Sequence, residues 1–495
     1  MAPSLATLPA ELQLGIARSL ERRQDKLRLM LCSRHFYNLV LPILYDRLIL
    51  NRSNTGAEFA AVVRTIFVEK PHLASCVRTL HVLHWDVWGD HWEADYRDFN
   101  DVVDSWRRGE FKIQPKEGDD GNDGQSNLSN YDFSFVHEKL KLASLSEVEE
   151  KFWKAELEAF NGDAWLSLLL IILPNLRRLE LQFPFFYCSF IPWVLDRAGN
   201  GTIGNLPALK SLSQVAVDWW DTEGGLDLNY ALRFFRFPSV RQFFGNMVVE
   251  DDSEESSAEL EAQVASIGQT SSITHIELQE SNSFSGMKQL IGCCKNLISF
   301  KYDHAWGCVH GESFDSEAFH SALHSARHTL ETIVFEDNSG CSGGGPFPHF
   351  RDFAALKTLH LDADMLPECS FAEGLPPSME ILQIRNAGDV RCGLRPLIEK
   401  LEEHVRNDLD QTPALSKIVI EGSLGIPPPP PKLGESQTIM FGRNFSRDPA
   451  IEGIVSGLES ACTGAGIQFE LHDSREAFYH NPWGGVGFQD SIFRN

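Results

Sequence analysis

The strongest constraint on how this chain folds is a recurring trio of apolar residues, spaced apolar-x-x-apolar-x-apolar, between Leu173 and Glu421. Clear copies are Leu176, Leu179, Leu181; Ile273, Ile276, Leu278; Leu330, Ile333, Phe335; Leu356, Leu359, Leu361; Met379, Leu382, Ile384; and Leu415, Ile418, Ile420. Weaker copies fall at Leu209 and Leu212, at Val240 and Phe243, and at Leu297, Phe300 and Tyr302. With the fourth position as marker, the copies sit at 179, 212, 243, 276, 300, 333, 359, 382 and 418, steps of about 30 residues. Apolar side chains at the fourth and sixth positions have the two-residue period of a strand with one buried face, and the residue between them points the other way. Such a strand cannot bury its apolar edge alone, so the copies must stack on one another. Between them, Phe319, Leu323 and Ala326, and Leu260, Val264 and Ile267, have helical spacing. Val77, Leu80 and Val82 form an earlier copy, and Ile467, Phe469 and Leu471 a last strand.

This pattern resembles leucine-rich repeat proteins, although the asparagine of the repeat stands in place only at Asn338. An ordinary α/β sheet would also alternate strand and helix; strand leads such as Leu173-Pro174-Asn175-Leu176 recurring before the markers favour the repeat. On that reading Glu180, Glu277, Lys301, Val334, His360, Gln383 and Val419 face away from the core, with Asp303, Glu336 and Asp362 just beyond them. These positions, with Trp219, Trp220 and Trp306 following strands, are the candidate contacts for a protein substrate.

The first fifty residues are different. Leu12, Ile16 and Leu20 lie on one helical face, with Pro9 suited to a first turn and Thr7 near its cap. A polar break from Glu21 to Asp25 leads into Leu27, Leu31, Phe36, Leu39 and Val40, two further helices expected to end before Pro42. Three short helices bury little surface unless they dock on something. Leu8-Pro9, Leu12, Ile16, Leu20, then Leu27, Leu31, Cys32, Arg34, Phe36 and the tail Leu41-Pro42-Ile43-Leu44-Tyr45 resemble the F-box, in its filamentous-fungal form. The resemblance implies an apolar face that packs on a Skp-type adaptor, itself joined to a cullin scaffold. It makes Leu8, Pro9, Leu12, Ile16, Leu27, Leu31 and Phe36 the adaptor contacts. The alternative is a helical hairpin that merely caps the repeats.

Charge narrows the partners. Lys and Arg number 44 against 69 Asp and Glu, a formal charge of -25, which argues against nucleic acid or an anionic membrane surface. The first fifty residues run the other way, with seven Lys/Arg against four Asp/Glu; this suits an acidic partner and speeds encounter. The ten cysteines include no CxxC pair, which fits a reduced intracellular protein in cytoplasm or nucleus. The opening residues lack the basic and apolar regions of a signal peptide. The longest apolar stretch, Trp165 to Leu173, is far shorter than a membrane span.

Several segments interrupt the repeat. Residues 86–164 hold a Gly- and Asp-rich stretch from Lys116 to Gly124, followed by an expected helix from Leu145 to Phe160. Glu250 to Glu255 is a second acidic run, and Pro427 to Pro431 favours an extended polyproline segment. Gly199 to Gly204 satisfies GxGxxG but follows a helix, whereas a dinucleotide site needs a strand there. Gly340 to Gly344 satisfies GxSxG around Ser342, but Pro346 and Pro348 follow where a nucleophile elbow needs a helix. Asp303, His304, Cys308 and His310 match no zinc spacing.

The expectation is an α/β chain: a three-helix F-box (1–50), a first repeat with a long acidic insertion (51–164), an irregular leucine-rich-repeat solenoid (165–425), and a proline linker with a C-terminal cap (426–495). The function implied is a non-catalytic substrate-recognition subunit of an SCF-type ubiquitin ligase, with no cofactor or metal. It would bind the Skp-type adaptor at one end and an unknown protein substrate along the repeats. A leucine-rich repeat scaffold outside any ligase is the alternative, and a serine hydrolase built on Ser342 a distant third.

Overall fold

Parallel strands cannot be joined by tight turns, so each must be followed by a returning segment that crosses the sheet. A computed structural model of the chain has this organisation. It describes residues 5–20, 22–50, 56–83, 85, 99–110, 131–184, 188–220, 224–250, 254–304, 314–337, 345–387, 393–422 and 449–473. These form two compact units, the first taking in Met1–Thr222, Leu226–Asn246 and Glu261–Ile267, the second Glu223–Gly225, Met247–Leu260 and Gly268–Asn495.

In the first unit, strands β1 (Arg47–Leu50), β2 (Thr79–Val82), β3 (Arg178–Phe183), β4 (Gln214–Trp219) and β5 (Gln242–Asn246) pair in parallel, each with the next. In the second, β6 (His275–Ser281), β7 (Ser299–His304), β8 (Thr332–Asp337), β9 (Thr358–Asp362), β10 (Ile381–Arg385), β11 (Lys417–Gly422) and β12 (Gln468–Asp473) do the same. The register follows the sequence markers: Leu80 lies beside Leu179, Ile333 beside Leu359, Leu382 beside Ile418, and Ile418 beside Phe469. Leu179, Ile333, Leu359, Leu361, Leu382, Ile384, Ile418 and Ile420 are fully buried, each contributing about 1.5–3 kcal/mol of apolar transfer.

One marker shifts. Val215, not Leu212, lies beside Leu179, so Leu212 takes the first position of its copy. Leu209, expected to open that copy, instead has a left-handed backbone with φ of 61°, as does Ala208 before it with φ of 46°, and the two form the turn ahead of the copy. The doubtful copy at Phe243 is in register beside Val215, and Leu48 in β1 adds a copy inside the segment assigned to the N-terminal helices.

A backbone relay joins the copies just before each strand. Arg177 N–H donates to Arg78 O at 2.8 Å, Ser213 to Arg177 at 2.8 Å and Arg241 to Ser213 at 2.9 Å. In the second unit Glu331 donates to Ile298 at 2.8 Å, Lys357 to Glu331 at 2.9 Å, Glu380 to Lys357 at 2.8 Å and Ser416 to Glu380 at 2.9 Å. Peptide groups at the start of each strand thus meet their obligatory hydrogen bonds through the backbone of the preceding copy.

The returning segments are helical and aromatic. In the second unit Phe314, Phe319 and Phe347 of these segments pack on the strand residues Tyr302 and Phe335, with centroids 4.5 Å apart for Tyr302–Phe319 and 4.9 Å for Phe335–Phe347. In the first unit the insertion flanks fold as helices. The helix expected from Leu145 to Phe160 spans Glu147–Glu158, opened by a capping box between Ser146 and Glu149. Its Phe152 and Trp153 pack on Phe99 and Phe190. Gly204, last of the GxGxxG run, has φ of 71°, and a Cβ there would lie 2.0 Å from Leu142 O. That glycine serves chain packing, and the run follows the helix Phe190–Gly199. The stretches 116–124, 338–344 and 427–431, and with them Ser342 and Asn338, lie outside the described residues.

A buried polar node ties the first unit's helices together. Asn161 caps Gly162–Ile172 by accepting from the N–H of Asp163 at 2.9 Å, and donates to Glu156 Oε2 at 2.8 Å. Asp163 in turn accepts from the backbone N–H groups of Ser189, Phe190 and Ile191 at 2.7, 2.8 and 3.1 Å, holding the start of the next helix. Burial raises the Glu156 carboxyl to about 7 and that of Asp163 to about 6.

At the N-terminus, α1 (Ala10–Ser19), α2 (Arg23–Leu31) and α3 (Arg34–Asp46) form a small hairpin-like unit that runs directly into β1. Its core is Ala17, Val40 and Leu44, with Leu29, Met30, Ile43 and Tyr45 against them. Helix α3 does not stop before Pro42 but contains it. Pro42 is exposed while Leu41 and Leu44 on either side are buried, so packing outweighs the one backbone hydrogen bond proline removes.

Two expected outcomes follow from these packings. The raised carboxyl of Glu156 is protonated in the folded chain above pH 4.5, where the unfolded chain is already ionised. Its contribution is therefore complete below pH 4.5 and lost as pH climbs toward about 7. The first unit should lose on the order of 2–3 kcal/mol between pH 4.5 and 7.5 from this group. In thermal melts Glu156→Gln should flatten that slope; an unchanged slope would contradict the assignment. By hydrogen exchange, Phe36→Ala should remove about 3–5 kcal/mol and open α1–α3. Leu31→Asp should change their protection by less than about 0.5 kcal/mol.

Candidate protein-interaction site

Two surfaces stand out, and each follows from an alternation that leaves side chains without a core to enter. On the N-terminal helices, Leu31 is 79% exposed, Leu12 56%, Leu27 39% and Ile16 37%; α2 buries none of its residues. Pro9 is exposed and Leu8 half-buried. Six of the seven adaptor contacts implied by the F-box resemblance thus reach the surface. Phe36 does not: at 5% exposure it is a core residue, because its position on α3 turns it inward with Val40. The sequence reading missed Gln13, which is buried and donates Nε2 to Leu5 O and Leu8 O at 3.1 and 3.0 Å, holding the Leu8-Pro9 turn on α1. His35 Nε2 meets Gln13 Oε1 at 2.5 Å.

The second surface is the strand face opposite the core. In the second unit the residues between the markers align in one row: Glu277, Lys301, Val334, His360, Gln383, Val419 and Glu470 are successive register partners. Two residues further along lies a row containing Asp303, Glu336, Asp362, Arg385, Glu421 and His472. The sequence reading had Asp303, Glu336 and Asp362 of this row but missed Arg385 and Glu421; the same offset from each marker identifies them.

Charge is unevenly matched here. Lys301 Nζ lies 3.5 Å from Glu277, and Lys417 Nζ 2.9 Å from Glu470. The Arg385 guanidinium touches Glu336 and lies 3.7 Å from Glu421. Burial lowers the His360 imidazole to about 4, despite Glu336 nearby, so their 3.8 Å approach is no ion pair at neutral pH. Burial raises Glu277, with Lys301 opposing it. It also raises the Asp362 carboxyl to about 6. Glu277 and Val419 are buried, whereas Lys301, His360 and Gln383 are partly open.

In the first unit the corresponding row is Ile49, His81, Glu180, Ala216 and Phe244. Glu180, expected to face a substrate, is fully buried. His81 and Arg178 close over it and Arg47 Nη2 reaches it at 3.3 Å, so it holds three repeats together rather than contacting a partner. Burial alone would raise its carboxyl, but the His81 hydrogen bond and the Arg178 charge hold it below the usual range. Trp219 is half-buried at the end of β4 and Trp220 is 44% exposed; Trp306 lies outside the described residues.

Among the described residues no group of His, Cys, Asp and Glu is arranged to hold a metal. Of the weak cluster, His304 is buried with Nδ1 3.0 Å from the Tyr302 hydroxyl, and Cys308 and His310 lie outside the described residues. A cavity of about 260 Å³ in the second unit, lined by Cys369, Phe371, Lys400 and His404, belongs to the returning segments, not the strands. There His404 Nε2 pairs with Thr412 Oγ1 at 2.8 Å, a structural use. Among the described residues no helix is long and apolar enough to cross a membrane.

Comparison with known proteins agrees with this geometry. No curated protein matches the chain. A family described as the leucine-rich repeat domain matches residues 141–423, more than half of the 495. The match takes in both strand runs from β3 to β11 and begins inside the helical insertion. With its strands in register and its family matched over that length, the chain belongs to the leucine-rich repeat proteins, whose repeats serve protein interaction.

Proposed function

We propose that this protein is the substrate-recognition subunit of an SCF-type ubiquitin ligase, binding a Skp-type adaptor through α1–α3 and a protein substrate along the strand face of the repeats. The observation that carries the adaptor half is the exposure of four aliphatic side chains, Leu12 and Ile16 on α1 and Leu27 and Leu31 on α2, on helices with a very small core of their own. Aliphatic side chains left in water on a marginal helical unit gain stability when a partner groove covers them. The order Leu8-Pro9, Leu12, Ile16, Leu27, Leu31 matches that of the F-box it resembles. Basic Arg22, Arg23, Lys26 and Arg28 beside that face suit an acidic adaptor.

On this reading the chain does no chemistry itself. It holds a substrate lysine near the charged ubiquitin carrier and raises its effective concentration, in the cytoplasm or nucleus. A repeat scaffold outside any ligase would use the strand face and leave the helices unoccupied.

Co-expression with a Skp-type adaptor separates the two. The wild-type chain should co-purify with the adaptor, and Leu12→Asp/Leu31→Asp should weaken binding by at least about tenfold, as loss of central interface leucines does. A wild-type chain that fails to co-purify, or a double variant that binds equally well, would leave the scaffold reading standing.

A further inference from the structure

Two helices of the first unit meet at a single turn. Phe160 N–H donates to Leu157 O at 3.1 Å and Asn161 N–H to Glu156 O at 3.0 Å, the pair of bonds that closes a helix through a left-handed residue. Glycine usually takes that place, but here it is Phe160, with φ of 59°, so the turn is strained. Asn161 then caps the next helix, Gly162–Ile172, and its amide donates to the Glu156 carboxyl. Two residues on, Asp163 accepts from the N–H groups of Ser189, Phe190 and Ile191 and pins the start of a third helix, Phe190–Gly199. One joint thus holds a strained turn and three helix ends through two carboxyls.

Both carboxyls are buried, Glu156 at 4% exposure and Asp163 at 1%. Among the described residues no cation compensates them. On the helices packed here Arg108 is held by Glu110, His137 by Glu158, Lys154 by Glu150 and Arg197 by Glu149. Lys139 lies over the Phe135 ring, and Glu58, Asp101, Asp104 and Glu138 are exposed. Asp163 is the one charge that acts on Glu156. Beyond it stand the Cys188 thiol and the Tyr230 hydroxyl, which burial keeps protonated and which feel the Asp163 charge. Two neighbouring anions in a dry site without a cation are unstable against taking up a proton. The donors decide where it sits. Three N–H groups fall on Asp163 and one amide on Glu156, so Asp163 keeps its charge and Glu156 takes the proton.

We infer that Glu156, Asn161 and Asp163 form a proton-operated latch: the closed joint keeps one proton on Glu156, and opening releases that proton to water and frees Ser189, Phe190 and Ile191 from Asp163. Acid therefore tightens the joint and approach to neutral pH loosens it. The strained Phe160 turn is the hinge. This goes beyond a pH-dependent stability of the whole unit, because it places the proton on one oxygen acid and the opening at one helix start. It rests on neither half of the proposed function, so the two fail separately.

The test is amide hydrogen exchange on the full chain, read as the protection of the Ser189, Phe190 and Ile191 amides, with infrared absorption by protonated carboxyls beside it. Opening returns the Glu156 carboxyl from about 7 to its ordinary 4.5, so protection is greatest in acid and lost as pH climbs toward 7. Between about pH 6 and about pH 7.5 it should fall about fivefold or more in the wild-type chain. In Glu156→Gln, whose neutral amide stands in for the protonated acid, the fall should be less than about twofold. The infrared spectrum at about pH 6 should contain a protonated-carboxyl band that Glu156→Gln diminishes and that vanishes in the wild type with a midpoint near 7. Glu147→Gln, an exposed acid on the same helix, should leave both the band and the slope as they are. The wild-type infrared titration needs no variant, so it decides the matter even if Glu156→Gln does not fold. Absence of that band from the wild type, protection of the three amides that does not change with pH, or the same change in Glu156→Gln would overturn the inference.

Discussion

The lateral pairing of parallel strands through their backbones is the interaction on which everything else in this chain depends. Each copy offers the next a row of amides and carbonyls, and just before each strand one more N–H reaches back to the preceding copy. Because this pairing fixes register, it also fixes which side chains point where. Leucines and isoleucines at the fourth and sixth positions enter the core, and the residue between them is carried to the opposite face in every copy. A slip of one residue would exchange the two sets. The charged rows of the second unit are therefore a by-product of the same geometry that builds its core.

That geometry gives the two surfaces different physical characters. Along the strand face, recognition would rest on charge and hydrogen bonding, since its residues are mostly polar and only partly open. The N-terminal helices present exposed aliphatic side chains with basic Arg22, Arg23 and Arg28 near them, and the aliphatic ones gain stability by being covered. Helix α3 runs straight into β1, whose Leu48 stands in register with Leu80. The apolar helical face is thus anchored to the first repeat without a linker, and a partner docked there would be held rigidly to β1 and β2. In the proposed ligase such stiffness matters, because proximity catalysis gains from a fixed distance.

Most of the fold was legible because the repeat is written in residues whose period no helix shares. Leu356, Leu359 and Leu361, or Met379, Leu382 and Ile384, could be placed in register from sequence alone. Three things were not legible. Leu209 looked like a strand lead but sits in a left-handed turn, a conformation its side chain does not announce. Pro42 reads as a helix stop, yet burial of Leu41 and Leu44 overrides it. Glu180 was correctly set opposite the core, but whether that face is open depends on neighbours. Arg178, two residues earlier in the same strand, and Arg47 and His81, more than ninety positions away in sequence, close over it. For the candidate site, alternation identifies the rows, whereas the burial of Phe36 and of Asp362 emerges only from packing.

The account's central claim, that register sends alternate residues of each strand to opposite faces, can be tested on β10, where burial alternates cleanly. Single cysteines placed at Ile381, Leu382, Gln383, Ile384 and Arg385 would be timed for modification by a thiol reagent under native conditions. Cysteines at 381, 383 and 385 should react readily, and those at 382 and 384 only as fast as the unit opens. Equal rates along the strand, or the opposite alternation, would contradict the register and with it both rows of the proposed strand face.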